Sequence, residues 1–452
     1  MRISLQNVGK IRSAEVDLDG LTVISGKNNS GKSTVGKSLY AIIKILNHFA
    51  NYNERIAKIK FKENVTVLRF KVREFNKILM DDSVLGQSED EVKLKDLYNR
   101  LSSDSFTSLS YDEQSKIIDE IIALPTVEKS TDRDIIIGKL KEIKNNFRPR
   151  NEEENLKDTA EAVFLNNMMI NNSVHQGDAN VTYEDGNFKI VSLTIRNEQV
   201  ISAVVDKRVP FFQDVTFVES ARHLGLRNQD KVLTDNIDKF YSYPERFGFE
   251  FDLASKIAIA GENFEANKSL LSEMEYETLN VFGKVFDKSA FFYDKTRDGI
   301  RYKAQSTAVR DLSLRDVASG AKCIGLLYIL WKAGALDNNH VLVLDEPENH
   351  LHPKWQVALA EIICLLVKSG IFVTMTSHSP YLIRSLFAYA EKHELTEKNK
   401  VNFYLAQPVG EVNENYCDIV NVKDKHGNIR IDKIYDELYD SLVELEELDK
   451  GR

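Results

Sequence analysis

The chain has 452 residues and a mass of 51.6 kDa, long enough for two to four lobes at about 150 residues each. With 42% hydrophobic and 29% charged residues it can bury a core, which excludes global disorder. A net charge of -9 and a pI near 5.7 exclude an overall cationic coat for nucleic acid and leave room only for a local basic face.

The first 25 residues read as short strands. Ile3, Leu5 and Val8 are spaced for one, Val16 and Leu18 alternate, and the apolar run LTVI (21–24) suits a buried strand. The next residues are GKNNSGKS: Gly26, Lys27, Asn28, Asn29, Ser30, Gly31, Lys32 and Ser33, continued by Thr34. They match the P-loop spacing G-x-x-x-x-G-K-[ST]. Gly26 and Gly31 permit backbone angles that let successive N–H groups wrap phosphates, and the helix starting there turns its positive end toward them. Lys32 is placed to reach the β- and γ-oxygens of ATP, and the Ser33 hydroxyl to ligate Mg²⁺. The helix itself is marked by Val35, Leu39, Ile42, Ile43 and Leu46 on one face.

From about residue 50 to 175 charges are dense, glycine is scarce, and apolar residues cluster as in KIIDEIIAL and DIIIGKLKEI. This predicts a helical insertion, read as a short hairpin arm. Between Arg55 and Lys77 eight Lys/Arg stand against two Glu. That is a nucleic-acid or partner contact or, as charge runs usually are, a solvated helix face. Residues 181–219 are β-rich, with hairpin turns at DG (185–186) and NE (197–198). Residues 226–285 again look helical, and AFFYDKTRDGIRYKAQ (290–305) reads as another hairpin.

The last third alternates strand and helix, which implies a parallel sheet. In DVASGAK (316–322), Ser319 and Gly320 open a helix with the apolar stripe Ile324, Leu327, Tyr328 and Trp331; taken alone, Ser319 is an N-cap. The strand VLVLD (341–345) carries Asp345 to its C-terminal tip, where ligands of such sheets bind. Asp345 is expected in the Mg²⁺ shell and Glu346 beside it as the residue that orients and polarises an attacking water. The strand IFVTMTS (371–377) leads into TSHSP, where His378 can bond the γ-phosphate or that water. Helices follow from Pro353 and Pro380. His350-x-His352 offers two metal ligands without a third, so a loop leading into the Pro353 helix is the better account. The tail DKIYDELYDSLVELEEL predicts an acidic amphipathic helix packed by Ile434, Leu438 and Leu442.

Elsewhere the signals exclude. The most apolar run, Ile324 to Trp331, falls far short of the roughly 20 residues of a membrane span. The opening lacks the apolar core of a secretory signal. Cys323, Cys364 and Cys417 lie far apart with no CxxC, so neither a disulfide framework nor a cysteine zinc site is expected. The chain reads as a reduced, soluble, cytoplasmic protein.

The four motifs together resemble the ATP-binding-cassette superfamily of P-loop ATPases, with the closer likeness to the SMC/RecF branch and the stand-alone OLD-like ATPases. NVGKIRSAEVDLDGLTVISGKNNSGKSTVGKSLY, the SGAK signature, LDEPENHLHPKWQ and TSHSPYLI carry it. The resemblance implies an α/β fold: an ATPase head with a mixed or parallel central sheet, an antiparallel β lobe and helical insertions. The core would comprise 1–48, 179–225 and 286–452, with insertions at 49–178 and 226–285. It makes Lys32 and Ser33 the Walker A lysine and Mg²⁺ ligand, Asp345 and Glu346 the Walker B aspartate and catalytic base, and His378 the switch histidine. Ser319 and Gly320 would contact the γ-phosphate of an opposite subunit, and Asn349, His350 and Leu351 fall at the D-loop. The signature reads VASGAK where the superfamily carries LSGGQ. Gln213 is the Q-loop candidate, and Arg222 a candidate basic residue. A homodimer, or a higher oligomer of such dimers, closed by ATP and Mg²⁺ is then expected. Its expected role is to control a separate effector protein, a nuclease in anti-phage defence, because too few residues follow TSHSP for a Toprim domain. The alternatives are a RecF-like DNA-binding clamp, resting on the basic segment 55–77, and a transporter subunit, against which the long insertion and VASGAK count.

Overall fold

The computed structural model describes residues 1–72, 88–167, 177–197, 199–206, 211–219, 248–263, 273–286, 290–294, 299–303, 311–313, 317–409 and 416–438. They fall into two compact units. One draws on Met1–Asn47 and on the described residues of 160–452; the other is His48–Thr159.

The first unit is built on a mixed sheet, in which eleven strands are described, in the order β6-β5-β4-β1-β2-β14-β13-β3-β12-β11-β7. Its parallel half is β13 (Val401–Val409), β3 (Leu21–Ser25), β12 (Phe372–Ser377), β11 (His340–Asp345) and β7 (Asp214–Glu219). Both faces of these strands are covered: every residue of β3 and of β11 is buried. The antiparallel half is β1 (Arg2–Val8), β2 (Ile11–Asp17), β4 (Ala179–Asp185), β5 (Phe188–Arg196) and β6 (Gln199–Val205). Here burial alternates, as at Ala179, Val181 and Tyr183 of β4, the pattern of a sheet covered on one face. β14 (Tyr416–Asn421) joins the halves, antiparallel to β13 and parallel to β2. The expected α/β class, with a parallel core and an antiparallel lobe, is therefore present. A small second sheet pairs β8 (Ala290–Asp294), β9 (Gly299–Lys303) and β10 (Leu312–Ser313); the DG turn predicted between β8 and β9 lies partly outside the described residues.

Helix α1 (Lys32–Lys71) leaves β3 directly and buries Val35, Leu39, Ile42 and Ile43. A Cβ at Gly36 would stand 2.8 Å from Val343 Cγ1 of β11, so this glycine sets how closely α1 approaches the sheet. Helices α9 (Ser319–Lys332), α10 (Pro353–Lys368) and α11 (Pro380–Lys392) share one core with β11 and β12, through Ile324, Leu327, Ile363, Leu366, Leu382 and Leu386. Proline at the first helical position and an accepting side chain before it, His352 for α10 and Ser379 for α11, fix where these two helices start. Helices α7 (Phe249–Asn263) and α8 (Glu273–Phe286) complete the described helices between β7 and β8. In the tail, residues 432–438 are helical; Ile434 is fully buried and Leu438 packs on the core, while Leu442 lies outside the described residues.

The second unit contains α2 (Glu89–Ser102), α3 (Tyr111–Ile122), α4 (Pro125–Glu128), α5 (Arg133–Phe147) and the start of α6 (Glu152–Asn167). Capping boxes at Ser88/Glu91 and Ser110/Glu113 start α2 and α3. Its core centres on Phe61, Phe106 and Phe147, with Phe61 and Phe106 stacked at 4.9 Å. Along the basic stretch, Phe61 and Leu68 are buried while Lys62 and Arg69 are exposed; Arg73 and Lys77 lie outside the described residues. No described helix is long and apolar enough to cross a membrane.

Candidate functional site

In the parallel half, Ser25 is in register with Ser377 and Asp345 with Thr376. The chain segments that leave β3, β11 and β12 therefore emerge side by side at one end of the sheet. This is the crevice at the strands' C-terminal ends, where ligands of parallel sheets sit.

The segment after β3 is a loop shaped by positive φ at Gly26 (149°), Asn29 (64°) and Gly31 (81°). A Cβ at Gly26 would come within 2.9 Å of Ala406 Cβ, so no side chain fits there. The Lys32 side chain is only 3% exposed and turns back under the loop. Its Nζ donates to the carbonyls of Gly26 at 2.9 Å and Lys27 at 2.7 Å, and lies 3.8 Å from Glu346 Oε1. Burial pushes the Lys32 ammonium pKa down, against the pull of Glu346 and Asp345. Lys27 Nζ stands 3.2 Å from Glu437 Oε1. Asn28 and Asn29 are exposed, Ser30 is buried, and the Thr34 N–H donates to the Gly31 carbonyl at 3.0 Å.

Ser33 Oγ donates to Asp345 Oδ1 at 2.8 Å, and Thr376 Oγ1 donates to the same oxygen at 2.5 Å. Burial raises the Asp345 carboxyl pKa although both hydroxyls oppose it. One buried carboxylate beside one hydroxyl is a hard-oxygen donor set, of the kind that holds Mg²⁺ with few protein ligands and leaves its other positions to phosphate and water. Ser33 and Asp345 therefore fit that ion. No larger cluster of His, Cys, Asp and Glu ligands is found among the described residues.

Glu346 follows at φ 48°, its N–H donating to Thr376 Oγ1 at 3.0 Å. This left-handed turn redirects the chain away from β11, so Asp345 and Glu346 do not alternate as strand neighbours would. Glu346 Oε1 lies 3.3 Å from His378 Nδ1, and Asn349 Nδ2 donates to Glu346 Oε2 at 3.2 Å. His378 first, then Asn349 and Lys32, draw the Glu346 carboxyl down to about 2. The pair works reciprocally: Glu346, then Glu348, push the His378 imidazole pKa up against burial and Lys32.

Gly320 is buried near the start of α9, and its nearest neighbours belong to the loop after β11: an added Cβ would stand 2.8 Å from Leu351 Cδ2 and 2.9 Å from the His350 carbonyl oxygen. Ser319 is the first residue of α9, and the N-cap position falls on Ala318, so the capping role read for Ser319 is corrected. Gln213 is also corrected as a Q-loop candidate. It precedes β7, where its N–H donates to the Asn339 carbonyl at 2.9 Å and its carbonyl accepts from Asn47. That is the N-terminal end of the strand, opposite the crevice. Arg222 lies outside the described residues. His352 Nδ1 accepts the Lys354 N–H at 3.2 Å in capping α10.

Two residues of the site went unread in the sequence. Glu348 accepts the Ser377 hydroxyl at 2.7 Å and the His378 N–H at 2.8 Å. Gln356 accepts from Ser379 Oγ at 2.5 Å and donates to the Leu351 carbonyl at 3.1 Å, tying the loop after β11 to the start of α11. For Glu348 the available signal was a third acid, after Asp345 and Glu346, in the run LDEPEN.

The family described as AAA ATPase domain matches residues 1–383. No curated protein matches the chain. Among solved structures, the SMC head domain from Thermotoga maritima is similar at 12% identity and a TM-score of 0.38, covering 94% of this chain and 98% of that one. The Smc head domain from Pyrococcus furiosus, bound to the C-terminal domain of ScpA, is similar at 11% and 0.33, covering 99% and 98%. The head domain from Pyrococcus yayanosii gives 11% and 0.35, covering 97% and 99%. At such identities and scores these likenesses carry no functional weight.

Proposed function

Because the chain belongs to the AAA ATPase domain family, matched over residues 1–383, we propose that it binds ATP at Gly26–Thr34 and hydrolyses it. The observation that carries the reading is the convergence of Lys32, the Ser33–Asp345 pair and the Glu346–His378 pair on one end of the sheet. Phosphate oxygens draw Lys32 away from the Gly26 and Lys27 carbonyls, exchanging two neutral acceptors for charged ones. Ser33 and Asp345 would hold Mg²⁺, which when bound supplies charge neutralisation at the β- and γ-oxygens. Glu346, freed of Lys32, orients and deprotonates the attacking water, and His378 bonds the γ-phosphate.

Ser319 and Gly320 then serve a second copy of the chain. They open a helix, a ready anion site, and in a dimer of heads they contact the γ-phosphate held by the partner. Two ATP molecules close the dimer and hydrolysis opens it, which makes the assembly a nucleotide-gated switch. Its output is a separate effector protein, a nuclease acting in anti-phage defence; the motif resemblance to OLD-like ATPases supports this choice. A RecF-like DNA clamp is the alternative, and exposed Lys62 and Arg69 favour it. Salt-dependent DNA binding lost on charge reversal at both residues would select it.

Glu346→Gln tests the central claim. The variant should bind Mg·ATP, release no phosphate, and accumulate as a dimer by size-exclusion chromatography with light scattering. Hydrolysis at the wild-type rate would remove Glu346 from the mechanism.

A further inference from the structure

We propose that Glu348 is a positioning residue that holds His378 for the γ-phosphate, a role that rests on the ATP hydrolysis proposed above. Glu348 stands two residues beyond Glu346, and its side chain is only 3% exposed. A single oxygen, Oε1, takes the Ser377 hydroxyl at 2.7 Å and the His378 N–H at 2.8 Å, and lies 3.5 Å from His378 Nδ1. Both the backbone and the ring of the histidine are thus referred to one atom. Ser377 Oγ in turn accepts the Ser379 N–H at 3.1 Å, so the turn into α11 is part of the same unit.

Packing does not explain a carboxylate here. Burial pushes the Glu348 carboxyl pKa up, against the bonds from Ser377 and His378, so keeping a charge here is costly. Its Oε2 has no hydrogen-bond partner among the described residues. A glutamine would accept the same two hydrogen bonds without burying charge. What the charge adds is its action on the imidazole. The groups facing His378 are Glu346, Glu348 and, with opposite sign, Lys32. Glu346 cannot both take a proton from water and keep its grip on Nδ1. Glu348 has no second task, so Nδ1 stays protonated against it and Nε2 is left as the ring nitrogen for a phosphate oxygen.

The test uses the full chain: wild type, Glu348→Gln, Glu348→Ala, His378→Ala and the double variant H378A/E348A, assayed for kcat and KM with Mg·ATP across pH. Glu348→Gln keeps the shape and guards against a folding defect. Each Glu348 variant should lower kcat about tenfold with KM little changed, and Glu348→Gln should move the alkaline limb of kcat to lower pH. The double variant should be no slower than His378→Ala, since Glu348 acts through that ring. Glu348→Gln at the wild-type kcat with the same alkaline limb, or losses that multiply in the double variant, overturns the inference. If the wild type hydrolyses no ATP, the functional reading falls. Histidine NMR on nucleotide-free protein then still decides this one: the His378 titration must move to lower pH in Glu348→Gln, and an unmoved midpoint refutes it.

Discussion

Lys32 without nucleotide is held by what nucleotide must displace. Its ammonium sits on two loop carbonyls and within 3.8 Å of Glu346, in a pocket that already disfavours its charge. Phosphate supplies a full counter-charge, which offsets the cost of burying the ammonium. Lys32→Ala should weaken Mg·ATP binding by about tenfold or more, about 1.4 kcal/mol, read by calorimetry. A variant that binds as tightly as wild type would place the phosphates elsewhere. The same residue affects the base. Glu346 at about 2 is a poor proton acceptor while His378, Asn349 and Lys32 all hold it. Transfer of Lys32 to the phosphates removes the smallest of these holds and shifts the carboxyl upward, with His378 still the main one. The acid limb of kcat then lies below neutrality, and the alkaline limb follows loss of the His378 proton at a pH above the ordinary imidazole value. His378→Ala should abolish the alkaline limb; an unchanged limb would assign it to another group.

At the level of elements, the P-loop and the segments after β11 and β12 each join a strand end to a helix start. The buried runs of β3, β11 and β12 and the prolines at Pro353 and Pro380 were legible in the sequence because apolar strands and first-turn prolines have local causes. The P-loop spacing was legible for the same reason. Glu348 and Gln356 were not, because each acts on a residue from another β-α unit and neither partner is near in sequence. Gln213 was misplaced for a related reason: composition marks a loop but not the end of the sheet on which it lies. The contact of α9 with the loop after β11 was equally hidden, since nothing in SGAK names Leu351 as its neighbour. That contact is tight enough to test. Gly320→Ala would push its methyl into Leu351 and the His350 carbonyl oxygen. Overpacking of this kind costs about 1–3 kcal/mol, so the melting temperature should fall. Because the displaced residues lie four and five positions beyond Glu346, kcat should fall with it. An unshifted melting curve would mean that the loop yields freely.

Across the larger unit, the site depends on α1 being held beyond the P-loop as well as at it. Three turns beyond Lys32, Lys44 Nζ bonds Asp252 at 2.7 Å and Asp214 at 3.0 Å. Lys256 Nζ reaches Asp214 at 2.7 Å and Thr216 Oγ1 at 3.0 Å, and Thr216 Oγ1 meets His340 Nε2 at 2.7 Å. One buried network thus joins α1, α7, β7 and β11 beneath the end of the sheet opposite the crevice. Its charges balance only while His340 is neutral. Burial, then Lys256, draws the His340 imidazole down to about 3, with Asp214 opposing and Lys44 adding to the fall. Burial alone would raise Asp214, but Lys44 and Lys256 hold it well below the usual carboxylate range. Both groups bind fewer protons folded than unfolded, so their stabilisation is complete above the unfolded values and is lost as the pH falls. The histidine contribution begins to fade near pH 6.5, its ordinary value, before any carboxylate titrates. Melting temperature should therefore decline between about pH 6.5 and 4.5, and His340→Gln, which keeps a polar partner for Thr216 but cannot take up the proton, should flatten that decline. A variant whose melting temperature falls as steeply as wild type over that range would show that the acid sensitivity arises elsewhere. A flattened profile would place it in the contacts that fix the helix carrying the P-loop.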